Sequence, residues 1–147
     1  MTDSPPEPAQ TSQQVGPDAT AIVSGVDFIS IPTQDLERAV DFYGNTLGLP
    51  RSAYRPERNF AEFETGTVTL NVANLEKMGV GSFRANDSYL ALHVEDVAEA
   101  RSRLEAQGVA FRGDTFDTGV CHMALFTDPD GNALMLHHRY APRTPES

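Results

Sequence analysis

Residues 27–40 (DFISIPTQDLERAV) return as residues 88–101 (SYLALHVEDVAEAR) at an offset of 61. An internal repeat constrains the fold more than any composition value, because what one copy forms the other must form as well. Phe28 lies over Tyr89, Ile29 over Leu90, Ile31 over Leu92, Asp35 over Asp96, Leu36 over Val97 and Ala39 over Ala100. Each copy opens with strict apolar alternation, the sign of a half-buried strand. An acidic residue then begins a helix, where its carboxylate accepts from free N–H groups and meets the positive end of the dipole. Leu36, Ala39, Val40, Tyr43 and Leu47 share one face of the first helix. Val97, Ala100 and Leu104 share one face of the second, and Gly108 fits its C-terminal stop.

Three strand-like runs follow each helix: 49–54, 59–64 and 67–73 in the first copy, and 109–112, 120–127 and 132–138 in the second. Glu64-Thr65-Gly66 and Asp128-Pro129-Asp130-Gly131 mark hairpin turns. The pattern predicts an α+β fold in which the order β-α-β-β-β occurs twice. The modules span about residues 24–75 and 86–140, with a polar linker at 74–88 between them. Residues 1–20 hold Pro5, Pro6, Pro8 and Pro17 among Ser, Thr and Gln, and read as a tail with little to bury. Residues 141–147 read the same way, so the single folded domain is expected over 21–140.

Charge narrows the partners. With 21 Asp and Glu against 11 Lys and Arg, the chain carries a formal charge of −10. That argues against nucleic acid and against anionic lipid, and favours neutral or cationic small ligands. No apolar run approaches the roughly 20 residues of a membrane span, and no secretory leader is visible. Cys121 is the one cysteine, which excludes an intrachain disulfide and suits a reducing, cytoplasmic setting.

The segments IPTQDLERAVDFYGNTLGL (31–49), VEDVAEARSRLEAQGV (94–109) and FTDPDGNALML (126–136) resemble the vicinal oxygen chelate superfamily of glyoxalases, bleomycin-resistance proteins and extradiol dioxygenases. The resemblance covers about 120 residues. It implies two βαβββ modules whose curved mixed sheets surround a cup, in a homodimer. In metal-dependent members the ligands, His or Glu, stand on the first and last strand of each module. Those places correspond here to Phe28, Asn71, Tyr89 and Met135. Phe cannot ligate, a thioether suits Cu(I), and one amide and one phenol do not hold a divalent ion. No metal is expected at the usual place, and no cofactor.

Alternation puts Tyr89, Ala91 and His93 on one face, and Met135 with His137 on another. The mapping makes both the cup face. Phe28, Asn71, Tyr89, His93, Met135 and His137 are therefore the expected ligand-binding residues, with Phe28 and Tyr89 facing each other across the module junction. His93 and His137 are also candidates for a general base, or for a displaced divalent-metal site that would need a third ligand such as Glu62. Filling of the cup by Phe28, Tyr89 and Met135 as core is the competing account. Adjacent residues on a strand point to opposite faces, so neither Cys121-His122 nor His137-His138 forms a working pair. Cys121 is expected to be buried. Asp128 and Asp130 read as a hairpin turn and not as a calcium loop. Arg51, Arg55 and Arg58 suit either an anion or a solvated edge strand, and the directions of Glu62 and Tyr54 stay open. The function expected is a metal-independent binding protein for a small aromatic or cationic molecule. The alternative is a glyoxalase- or dioxygenase-type enzyme.

Overall fold

The computed structural model describes residues 20–143. All of the expected N-terminal tail but Thr20, and residues 144–147, lie outside the described residues. The first module runs β1 (Phe28–Pro32), α1 (Leu36–Asp41), β2 (Arg51–Arg55), β3 (Phe60–Glu64) and β4 (Thr69–Ala73). A one-turn helix, α2 (Leu75–Met78), follows. The second module runs β5 (Leu90–His93), α3 (Val97–Glu105), β6 (Phe111–Asp117), β7 (Cys121–Thr127) and β8 (Ala133–Arg139).

Each module is one mixed sheet, ordered β1-β4-β3-β2 and β5-β8-β7-β6. The first strand pairs parallel with the last, and the other pairs are antiparallel. The element order is that of the repeated β-α-β-β-β reading. The capping reading holds as well: the Asp35 carboxylate accepts from the Arg38 N–H and the Asp96 carboxylate from the Glu99 N–H.

Three local expectations change. Helix α1 ends at Asp41 and continues as a π-turn over Phe42–Thr46, which still buries Phe42 and Tyr43. The expected linker contains α2, capped by Asn74 at its start and by left-handed Gly79 at its end. Strand β6 extends to Asp117, past the predicted run.

Burial separates the two faces of each sheet. Ile31, Ala61, Phe63, Leu70 and Val72 of the first sheet, and Ala124, Phe126, Leu134 and Leu136 of the second, join Ala39, Tyr43, Val97 and Leu104 in one core. The opposite faces carry the residues assigned to the cup. Tyr54 pairs with buried Ala61 and packs on the core side, so it is not cup wall.

The modules meet through the β7–β8 turn. The Tyr43 hydroxyl donates to Asp128 at 2.7 Å, and Asp130 accepts from the Thr33 hydroxyl at 2.6 Å and the Gln34 N–H at 2.8 Å. Asn132 is 1% exposed; its amide donates to the Pro32 carbonyl and to Asp128, both at 2.8 Å, and accepts from the Asn86 N–H. Burial, and then the Asp128 charge, push the Tyr43 phenol well above its ordinary pKa, so it remains a donor. The Asp-Pro-Asp-Gly segment is thus a hairpin turn, as expected, and also the clasp between modules.

Candidate functional site

Register places the cup-face side chains in rows. In the first sheet Ser30, Asn71, Glu62 and Ala53 are successive partners across the strands, and Phe28, Thr69 and Glu64 form the next row. This face is polar and acidic. The Asn71 amide donates to Glu62 at 3.1 Å, which settles the direction of Glu62. Glu64 accepts from the hydroxyls of Ser52 and Thr69, and these bonds hold its carboxyl below the usual range. Phe28 stands at the edge of the face, 53% exposed.

In the second sheet one row is Ala91, Met135, Leu125 and Arg112, and the next is His93, His137, Met123 and Phe116. Arg112 donates to the Tyr89 hydroxyl at 3.1 Å, joining the two edges of the sheet. This face is apolar in its middle, with Arg112 on its edge strand β6. Arg112, Leu125, Met123, Phe116 and Glu64 belong to the cup faces but escaped the sequence reading. The period-2 count from Met135 would have found Leu125 once the β7–β8 pairing was set.

The six expected ligand-binding residues do lie on these two faces. His93 and His137 are register partners on adjacent strands. Phe28 and Tyr89 behave otherwise than expected: among the described residues no ring contact joins them, and Tyr89 is engaged by Arg112 of its own sheet. Cys121 is buried. Arg51 lies over the Tyr54 ring at 4.6 Å and Arg55 bonds the Tyr54 carbonyl, so both serve a solvated edge strand.

Burial, and then the charges of His93 and His138, lower the pKa of His137. The unfolded chain takes up this proton first, so the group's contribution is present above its ordinary value and is lost below it. The urea midpoint should therefore fall between about pH 7.5 and about pH 5.5. That part of the slope should disappear in His137→Gln, and an unchanged slope would contradict the assignment.

The profile of the Glyoxalase/Bleomycin resistance protein/Dioxygenase superfamily matches residues 25–136. The chain belongs to this superfamily. Among its relatives is the uncharacterized protein YraH of Bacillus subtilis (strain 168), 28% identical, with 74% of this chain and 94% of YraH covered. The antibiotic-binding protein TnmS3 of Streptomyces sp. CB03234 is 30% identical, with a TM-score of 0.64, over 84% of this chain and 99% of TnmS3. The lactoylglutathione lyase of Agrobacterium tumefaciens, 18% identical with a TM-score of 0.68 over 78% of this chain and 93% of the lyase, shares the fold.

A divalent metal of the superfamily's enzymes does not fit the donors this member presents. At the corresponding places stand a phenyl ring, a thioether, a phenol engaged by Arg112 and an amide donating to Glu62. In the displaced set His93 bonds the exposed Glu95 at 2.6 Å and Glu62 accepts from the Asn71 amide at 3.1 Å, so each is already engaged by another side chain. Among the described residues no three His, Cys, Asp or Glu side chains form a group that could hold a metal ion. No described helix is long and apolar enough to cross a membrane.

Proposed function

We propose that this superfamily member is a metal-independent binding protein that holds a small aromatic or cationic molecule against its cup faces, with a second copy of the chain closing the cup. The observation that carries the reading is the second sheet's face. It offers Met135, Leu125 and Tyr89 as an apolar floor, with Arg112 and the two histidines at the rim, where metal-dependent relatives would set ligands. A mostly apolar surface with few polar groups is what orients a small organic ligand. Phe28, Ser30, Ala91 and His93 are exposed in the single chain, so each cup face needs a cover. The acidic first face, with Glu62 and Glu64, complements Arg112 at the edge of the second, which favours a second copy as that cover. TnmS3, named as an antibiotic-binding protein, supports ligand capture over turnover. The buried lone thiol suits a reducing cytoplasm.

A thermal-shift screen of planar aromatic cations, neutral antibiotics and matched anions tests the reading. Stabilisation by a cationic or neutral compound, lost in Tyr89→Ala and Met135→Ala, is expected; stabilisation by anions alone would contradict it. Sedimentation at micromolar concentration should give a dimer, and a concentration-independent monomer would remove the second copy. A second reading, His137 as general base, is favoured by the neutral imidazole that burial maintains. It predicts turnover that His137→Gln abolishes.

A further inference from the structure

The repeat makes the two module junctions equivalent, yet they are not built alike. At the first, the β7–β8 turn (128–132) packs on the edge of β1, Asn132 pairs with the outward Pro32 carbonyl, and Tyr43 fills the space beneath. At the second, the repeat sets His93 at the place of Pro32 and Leu104 at the place of Tyr43. The facing β3–β4 turn (65–68) is one residue shorter and carries no equivalent of Asn132. A cleft of about 590 Å³ lies there, within the usual range for ligand pockets. Its walls are Leu47, Leu49, Val68, Leu90, Leu92 and Leu104. Gln107 donates to the Thr46 carbonyl between its walls at 3.3 Å.

The edge of β5 borders this cleft. The Val94 N–H donates to the His137 carbonyl, so the alternation of a parallel ladder turns the N–H and C=O groups of Ala91 and His93 off the open edge. They have no hydrogen-bond partner among the described residues, whereas the equivalent Pro32 carbonyl is met by a carboxamide. A ligand here must both donate and accept next to an apolar body. Glu95 and Arg103 at the cleft bring opposite charges, so a neutral group is favoured over an ion of either sign.

We propose that the cleft between β5, α3 and the β3–β4 turn is a second binding site, for an uncharged apolar small molecule bearing a carboxamide. The amide takes the role at β5 that Asn132 has at β1. Its aliphatic body lies among the leucines. Apart from the edge strand β5, whose Ala91 and His93 side chains also stand on the cup face, the walls come from the core side of the sheets and the β3–β4 turn, so shifts at Thr67 and Leu104 distinguish this site from the cup.

The test titrates the full chain with octanamide, octylamine and octanoate, reading amide shifts by ¹H–¹⁵N NMR. Saturable binding of octanamide is expected, with shifts at Ala91, His93, Thr67 and Leu104 and none at Phe28 or Met135. The amine and the acid should bind about tenfold or more weakly, since each lacks part of the donor–acceptor pair. Ala100→Leu, at a half-buried cleft position on α3, should fill the space and abolish the octanamide shifts. Thr67→Leu, on the exposed turn, gives a second reading of the same space if that variant folds poorly. Equal affinity for the three probes, shifts confined to the cup faces, shifts along the whole edge that no cleft variant alters, or no saturation at millimolar octanamide would each overturn the proposal.

Discussion

Asn132→Leu is expected to destabilise the chain by about 3 kcal/mol, because one buried and two half-buried groups lose partners at roughly 1–3 kcal/mol each, the half-buried ones toward the low end. The Pro32 carbonyl, the Asp128 carboxylate and the Asn86 N–H all bond the Asn132 amide. A leucine of similar size leaves the volume filled, so the loss isolates polar satisfaction from cavity formation. Asn132→Asp should be at least as harmful, since it removes the donor and brings a second carboxylate against Asp128. Tyr43→Phe removes one bond of the same clasp and should cost less. Urea unfolding followed by two probes measures each; a loss under about 1 kcal/mol for Asn132→Leu would mean the clasp does not hold the modules together.

Phe28→Ala and Phe63→Ala should separate cup from core. Phe63 is 0% exposed, and its ring lies 6.0 Å from that of Tyr43, so truncation should cost roughly 3–5 kcal/mol. Phe28 is 53% exposed, and the same truncation should cost well under about 1 kcal/mol in the single chain while weakening an aromatic ligand about tenfold. A large stability loss at Phe28, with no ligand affected, would return it to the core and remove it from the binding face.

What could be read from the sequence follows the range of the interactions. The 61-residue repeat, the caps Asp35 and Asp96 and the period-2 faces are set by neighbours within a few residues, and each is legible in a string of letters. The α2 helix was legible in principle, from Asn74 before it and Gly79 after it, but its single turn offers no periodicity. The clasp was not legible. Asp128 and Asp130 carry the letters of any tight turn, and only the fold brings them to Tyr43, Thr33 and Gln34, 85 to 97 residues away. The cup rows were legible by half. Alternation gave the faces of β5 and β8, whereas Arg112 joined Tyr89 only once β6 was placed at the far edge. The departure from symmetry between the junctions lies in one missing turn residue and the exchange of Tyr43 for Leu104, differences that an alignment of the repeats treats as noise.

The central claim is that ligand capture at the cup faces is independent of metal. Calorimetric titration of the best compound from the screen, into protein dialysed against EDTA and into the same protein after adding back Zn²⁺ or Mn²⁺, tests it most directly. The account predicts the same Kd in both samples and less than about 0.1 metal per chain before dialysis, because a soft or already engaged donor set gives a divalent ion little to bind. Near-stoichiometric metal in the purified protein, with ligand binding lost on EDTA and restored by the ion, would contradict it.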